Sequence, residues 1–246
     1  MPTTAEKRAT FFKLHESGFF ILPNAWDVGS AVRLEKLGFK AIASTSAGAA
    51  WSLGKDDGEI GLDEALAHLR MLVGATDLPV NADFENGFAD DPEEAAGNAV
   101  LAAETGLAGL SIEDWSGRAH YDMALAVDRI SACRAALDPA VMLIGRHERF
   151  RNPDLPVSEG IARAVAYAEA GADCLFVPGL ADHGAIAELI AAVAPKPVNV
   201  IVHAYDEQIV QLARLGARRC SVGGSLAAAA WAAFDAVAET LRKFEP

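Results

Sequence analysis

An alternation repeated eight times over 246 residues constrains this chain most: a short β-rich apolar run, then a longer amphipathic stretch. Parallel strands need a long crossover between them, and a helix is the usual one. The pattern predicts strands at 19–25, 41–45, 79–83, 109–113, 141–146, 174–177, 198–202 and 219–222. It predicts helices at 28–37, 63–75, 92–105, 124–137, 158–170, 183–193, 207–215 and 225–243. Glycines punctuate the joints, as in Leu37-Gly38-Phe39, Thr105-Gly106-Leu107, Ala170-Gly171-Ala172 and Leu215-Gly216-Ala217. A Gly there serves as a left-handed helix C-cap before the next strand. Eight such units in one undivided chain argue for a (β/α)8 TIM barrel, an α/β fold spanning 1–246 as one domain, over an open doubly wound sheet. An extra N-terminal helix at 6–17 is expected to cover the barrel's bottom. No G-x-G-x-x-G follows the first strand, which weakens a dinucleotide-binding reading.

Composition sets the outer limits. The chain is 52% hydrophobic, enough for a large core, and no Pro/Gly/Ser-rich linker divides it. A formal charge of −13 disfavours nucleic acid and anionic membranes as partners, because phosphate surfaces need stripes of Lys and Arg. A small anionic substrate would then need a local cationic patch or a metal. Cys133, Cys174 and Cys220 are widely spaced and set in apolar segments, which reads as buried reduced thiols in a cytoplasmic protein. The N-terminal segment is polar and charged, with no secretory signal visible. The alanine-rich stretch at 227–233 is too short, and too closely flanked by charge, to span a bilayer.

Five acids fall where the strands reach their carboxyl ends: Asp57, Asp83, Glu85, Glu113 and Glu148, with Arg146 beside the last. In a closed parallel barrel those ends converge on one mouth. Strand side chains alternate, so Asn81, Asp83 and Glu85 are expected to face inward together, as are Ser111 with Glu113 and Arg146 with Glu148. Carboxylates and an amide at one mouth suit a hard cation, Mg²⁺ or Mn²⁺. The plainer alternative, an acid capping a turn, ranks lower because a buried acid is costly unless paired or bound to a cation. Arg146 offers a rigid fork for a substrate carboxylate, or it neutralises the acids around it; both roles can hold together. Asp114 and His147 are expected to face the other way, Asp114 capping a turn and His147 packing or supporting the site.

Ser44-Thr45-Ser46-Ala47-Gly48 reads as a loop whose hydroxyls and N–H groups can cradle a carboxylate or enolate oxygen, although loops of that composition are usually just turns. Ser221-Val222-Gly223-Gly224-Ser225 places two glycines where barrels often bind phosphate, with a tight turn at least as good a reading. His120 and His203 are candidate acid/base groups. All seven lysines fall in helices or loops, which disfavours a Schiff-base aldolase. No His-rich cluster calls for zinc, and no Ser-His-Asp grouping has nucleophile-elbow context.

Several of these motifs together resemble the isocitrate lyase/phosphoenolpyruvate mutase superfamily. They are Pro23-Asn24-Ala25-Trp26-Asp27-Val28-Gly29-Ser30-Ala31, Thr45-Ser46-Ala47-Gly48, Leu53-Gly54-Lys55-Asp56-Asp57-Gly58, Asp83-x-Glu85-x-Gly87 and Ile112-Glu113-Asp114. The likeness runs over nearly the whole chain. It implies a barrel whose last helix is often swapped between subunits, hence a homodimer or homotetramer. It implies Asp83 as the direct Mg²⁺ ligand, Glu85 and Glu113 holding metal-bound waters, and Asp57 in the same acidic cluster. By the same resemblance Arg146 binds the substrate carboxylate, while Ser44, Thr45, Ser46 and Ala47 hold a 2-oxo acid or its enolate. Members cleave C–C bonds of 2-hydroxy or 2-oxo dicarboxylates, or make, break or move P–C bonds.

The chain departs from that family where its chemistry is decided. Lyases carry a Lys-Lys/Arg-Cys-Gly-His loop after the fourth strand, and its Cys is the acid/base. Here the segment reads Trp115-Ser116-Gly117-Arg118-Ala119-His120-Tyr121-Asp122, short and without Cys or Lys. The mutases' loop Lys and Asn are missing too, and Gly145-Arg146-His147-Glu148 replaces the usual Ala-Arg-Thr-Asp. The expectation is an Mg²⁺-dependent carbon–carbon lyase or decarboxylase for a small 2-oxo or 2-hydroxy acid. Arg146 and Glu113 would be catalytic, with His120 or Tyr121 as proton donor. The alternatives are a phosphonopyruvate-type P–C enzyme and a barrel that binds a 2-oxo acid without turning it over.

Overall fold

The computed structural model describes residues 2–245. Its strands are β1 (Phe20–Leu22), β2 (Asn24–Ala25), β3 (Ile42–Ser44), β4 (Val80–Asp83), β5 (Gly109–Glu113), β6 (Met142–Arg146), β7 (Cys174–Phe176), β8 (Val198–Ile201) and β9 (Arg219–Ser221). Every pairing is parallel, in the order β1-β9-β8-β7-β6-β5-β4-β3-β2. The two ends of that list are consecutive in the chain. Pro23, which has no N–H to give a ladder, splits the first predicted strand into β1 on β9 and β2 on β3. Eight staves therefore close into a nearly complete barrel, and strands after the first carry numbers one higher than a simple count.

The helices are α1 (Thr4–Glu16), α2 (Val28–Lys36), α3 (Ser46–Ser52), α4 (Leu62–Ala75), α5 (Pro92–Glu104), α6 (Met123–Ala136), α7 (Val157–Glu169), α8 (His183–Val193), α9 (Gln208–Leu215) and α10 (Ser225–Arg242). Acidic caps start several of them, namely Asp27 at α2, Asp91 before Pro92 at α5, Asp122 at α6 and Asp182 at α8. Gly38, Gly106, Gly171 and Gly216 all take positive φ at the helix ends, as the sequence implied. The element the alternation missed is α3. The Ser44–Gly48 segment is no loop: Thr45 caps a short helix, its side chain accepting from Gly48 N at 3.3 Å.

Two apolar layers follow from strand alternation. Outward residues such as Ala82, Leu110, Ile112, Leu143 and Leu175 pack under the helices in one continuous core. A second cluster gathers around Phe11 from α1, joining Phe20, Leu22, Ala43, Met142 and Ile144. The helix expected to cover the bottom thus does so, with Phe11 fully buried as the plug. Gly109 lets it approach: a Cβ there would lie 2.9 Å from Met142 O and 3.0 Å from Phe11 Cε1. All three cysteines are buried and free.

Phe11→Ala should destabilise the fold by about 3–5 kcal/mol through lost burial and a cavity. Gly109→Ala should cost roughly 1–3 kcal/mol by overpacking the same contact. Urea denaturation measures both, and a Gly109→Ala protein as stable as the parent would remove the close-approach argument.

Candidate active site

The register of the longest strand pair builds the site. Glu113 at the end of β5 lies opposite Arg146 at the end of β6, and Asp83 at the end of β4 lies opposite Ser111. Arg146 Nη1 is 2.9 Å from Asp83 Oδ1 and 3.2 Å from Glu113 Oε2. Its Nε donates to Glu148 Oε2 at 2.6 Å, and Nη2 pairs with the same oxygen. One guanidinium thus joins three strand-end carboxylates, and the Phe176 ring lies 5.4 Å from its carbon.

Asp83 Oδ2 accepts from both the N–H and the hydroxyl of Ser46, each at 3.1 Å, at the first residue of α3. The same hydroxyl oxygen lies 3.1 Å from Asp57 Oδ1, so its one proton is shared between the two carboxylates, and Arg151 Nη2 holds Asp57 Oδ2 at 2.7 Å. A continuous polar chain therefore runs from the rim to the centre: Arg151, Asp57, Ser46, Asp83, Arg146. It borders a cavity of about 300 Å³ whose walls include Glu85, Asn86, Glu113, Trp115, Ser116 and Gly117.

Glu85 reaches this cavity by a different route from the one alternation suggested. β4 stops at Asp83, and Glu85 turns inward with a left-handed φ of 47°, unusual for a residue bearing a Cβ. Its backbone carbonyl accepts from Glu113 N at 2.9 Å, which ties the turn to β5. Its Oε1 is buried with no partner. Burial, and then the charges of Asp83 and Asp57, push the Glu85 carboxyl up to about 7. Burial also raises Glu113 well above the ordinary carboxylate range, against the pull of Arg146, with Glu148, Asp83 and Glu85 adding to the rise. The acids of the mouth, Asp57, Asp83, Glu85, Glu113 and Glu148, outnumber its two cations, Arg146 and Arg151.

The remaining sequence candidates fall elsewhere. Ser44 Oγ accepts from Asp83 N at 2.8 Å, inside the barrel wall, while Thr45 is spent on capping. Ala47 does not border the cavity at the mouth; of the four residues only Ser46 does. His120 and Tyr121 do not border it either. His120 Nε2 lies 3.0 Å from Glu148 O, with the ring packed on Trp115 and His147. The Tyr121 hydroxyl donates to Asp90 and accepts from Asn86 at 2.9 Å, and its pKa is raised by burial and the Asp90 bond. The glycines after β9 serve a turn: Asn24 Oδ1 takes Val222 N and Gly223 N, and Trp51 packs where a Gly224 Cβ would sit.

Asp114 is not a solvent-facing turn cap. It is buried behind the site, its Oδ2 accepting from His147 Nδ1 at 2.7 Å, Arg163 Nη1 at 3.1 Å and the Tyr167 hydroxyl. Its Oδ1 takes Glu148 N at 2.9 Å, so this network holds the end of β6 against α7. Burial works to raise the Asp114 carboxyl, but the bonds from His147 and Tyr167 outweigh it and its pKa falls. Ligand atoms of Asp114, His120 and His147 lie within 4.8 Å of one another, a grouping that can take a metal ion. Arg163 on the same Asp114 oxygen already supplies positive charge there, and the harder donors are the carboxylates at the mouth. Arg151 was missed in the sequence, where only the Arg-rich run of 146–151 hinted at it.

The comparisons agree with this geometry. The family model for phosphoenolpyruvate phosphomutase matches residues 11–242. A crystal structure of a lyase/mutase-type protein from Burkholderia cenocepacia superposes with a TM-score of 0.93 at 42% identity, covering 98% of this chain and 89% of that one. An uncharacterized protein of Mycobacterium tuberculosis is 36% identical over 87% of this chain and 81% of its own length. An oxaloacetate decarboxylase of Bradyrhizobium is 31% identical over 89% of this chain and 78% of its own. With its parallel barrel and its strand-end carboxylates gathered on one arginine, the chain belongs to the isocitrate lyase/phosphoenolpyruvate mutase superfamily of lyases and mutases.

Proposed function

We propose that this protein is a divalent-cation-dependent carbon–carbon lyase or decarboxylase acting on a small 2-oxo or 2-hydroxy (di)carboxylic acid. The carrying observation is the charge balance at the mouth: Asp83, Glu113 and Glu148 are all paired to Arg146 and Glu85 lies beside them, while Arg151, the other cation on the cavity, is held by Asp57. A buried carboxylate oxygen without a partner, on a group displaced to about 7, fits a hard cation. Asp83, Glu85 and Glu113 would hold Mg²⁺ or Mn²⁺, directly or through water. Such an ion would supply Lewis-acid polarisation of the substrate's carbonyl oxygen.

The chain's own groups do the rest. Arg146 grips the substrate carboxylate with its fork, exchanging part of its contact with Asp83 for the incoming anion. Ser46, at the start of α3, orients Asp83 with its N–H and hydroxyl. Asp57 and Arg151 bound the rim, and Trp115, Ser116 and Gly117 wall off water on one side. His120 and Tyr121 are turned to other partners, so neither is placed to hand a proton to the carbon left by bond cleavage. The likeness to an oxaloacetate decarboxylase supports decarboxylation as the step.

Incubation with Mg²⁺ and a panel of 2-oxo acids, 2-hydroxy acids and phosphonates, followed by proton and phosphorus NMR, tests this reading. Pyruvate or another short oxo acid above the metal-only background is expected; phosphate release from a phosphonate would replace the reading with a P–C enzyme. Asp83→Asn should lower kcat/KM at least about 100-fold and weaken Mg²⁺ binding by calorimetry. Unchanged metal affinity in that variant would sink the ligand assignment.

A pH dependence follows from Glu85 in the metal-free protein. Its folded pKa, about 7, lies above the unfolded value, so the native state keeps a proton that the unfolded chain has released. That stability is full below roughly pH 4.3 and is lost as pH rises through 7, a change on the order of 3 kcal/mol. Glu85→Gln should flatten the slope between about pH 4.5 and 7 in urea unfolding; an unaltered slope would assign it to another group.

We further propose a homo-oligomer built by exchange of α10. Trp231, Phe234, Val237 and Leu241 are exposed on this helix, and the isolated chain leaves the row uncovered. Phe234→Glu with Val237→Glu is expected to give monomers by light scattering, whereas the parent elutes as a dimer or tetramer; a monomeric parent ends the proposal.

A further inference from the structure

Glu85 enters the cavity on a strained turn. Over residues 85–88 the backbone is left-handed at three positions, with φ of 47° at Glu85, 76° at Gly87 and 58° at Phe88. Glycine takes such angles freely, whereas Glu85 and Phe88 carry a Cβ and do not. Backbone of this kind persists only where its surroundings over-determine it. Glu85, Asn86 and Phe88 all border the cavity at the mouth, so the turn is part of its wall.

The surroundings centre on Arg129 of α6. Its neighbours on that helix face, Ala126, Ile130 and Cys133, are buried and apolar, so α6 turns a charge into its core stripe. Arg129 is 1% exposed and, among the described residues, has no carboxylate partner. Its Nη1 donates to Ala89 O at 2.6 Å and Asp90 O at 2.5 Å, and its Nη2 donates to Asn86 O. A buried charge without a counter-ion is costly. This one serves three backbone carbonyls of a single loop. Asn98 on α5 covers a fourth, its Nδ2 donating to Gly87 O at 2.8 Å.

Tyr121 joins the two ends of that loop. Its hydroxyl donates to Asp90 and accepts from Asn86 Nδ2 at 2.9 Å. Its ring is also the platform for the guanidinium, whose carbon lies 4.4 Å from the ring centre. Asn86 Oδ1 in turn accepts from Phe88 N at 2.9 Å. The loop is therefore gripped from outside the barrel, while Glu113 N holds Glu85 O from the strand side.

We propose that Arg129, seated on Tyr121, is the positioning residue for Glu85. By gathering the carbonyls of Asn86, Ala89 and Asp90 it keeps the strained turn closed and Glu85 aimed into the cavity. The consequence for cation binding rests on the cation reading given above; the clamp itself does not. The sign of the effect separates positioning from plain electrostatics. Removing a buried positive charge would by Coulomb's law strengthen cation binding. Loosening the turn that carries a ligand weakens it.

Two measurements test the clamp. In Mn²⁺ titrations followed by electron paramagnetic resonance, Arg129→Met should raise Kd about 10–100-fold. Tyr121→Phe, which keeps the ring and loses the hydroxyl bonds, should raise it less, and Arg129→Lys should recover part of the loss. Phe11→Ala, which weakens the floor, should leave Kd unchanged. In hydrogen exchange, the amides of Gly87 and Glu113, which donate to Phe84 O and Glu85 O, should exchange faster in Arg129→Met. The amide of Val202, bonded to Ser221 O on the opposite side of the barrel, should not. An unchanged or lower Kd in Arg129→Met overturns the proposal, as does an equal loss of protection at Val202, which would make the role merely structural. A parent protein that binds no Mn²⁺ sinks the cation reading, and the exchange pattern alone then decides the clamp. If Arg129→Met does not fold, Tyr121→Phe carries both measurements.

Discussion

Arg146 is the interaction on which the mouth of this barrel depends. Three strand-end carboxylates, from Asp83, Glu113 and Glu148, converge on its guanidinium, and each would be expensive to bury as a lone anion. Their convergence is a matter of register. Because Glu113 is the direct partner of Arg146 across β5 and β6, two inward side chains meet without any loop rearrangement. Arg146 and Arg151 together do not balance the five acids of the mouth. Glu85 and Glu113 are pushed toward their protonated forms, which is the electrostatic condition of a site prepared for a further positive charge.

The surrounding fold supplies the rigidity that such a cluster needs. At the bottom, Phe11 closes the barrel and Gly109 admits it. Behind the mouth, Asp114 ties β6 to α7 through His147, Arg163 and Tyr167 while holding the Glu148 backbone. Glu148 is therefore fixed from both ends, by its N–H on Asp114 and by its carboxylate on Arg146. Between floor and mouth a small cavity is lined by asparagines and serines together with Leu22, Phe176 and Ile201, with a second buried arginine at Arg219. The same strand alternation that puts apolar residues under the helices puts this polar set inside.

Much of the architecture was legible in the chain. The 2-and-3.6 alternation and the glycine stops are local chemistry, and local chemistry is written in short windows. Asp83, Glu113 and Arg146 were legible for the same reason, since the last inward residue of a strand in a parallel barrel faces the mouth. Glu85 was found for an incomplete reason: it is delivered by a left-handed turn, not by continued alternation. The short helix α3 was hidden because Ser, Ala and Gly have weak and mixed preferences, and its cap at Thr45 looked like loop chemistry.

Sequence alone determined the barrel, the helix that covers its bottom and the set of carboxylates placed at one mouth, because periodicity and chain connectivity are sufficient for those. Only the tertiary structure decided what each side chain touches. It turned His120 and Tyr121 to partners other than the cavity, made Asp114 a buried hub and brought Arg151 across to Asp57. Those outcomes depend on competition among hydrogen-bond partners contributed by distant segments. No window of sequence contains both sides of that competition.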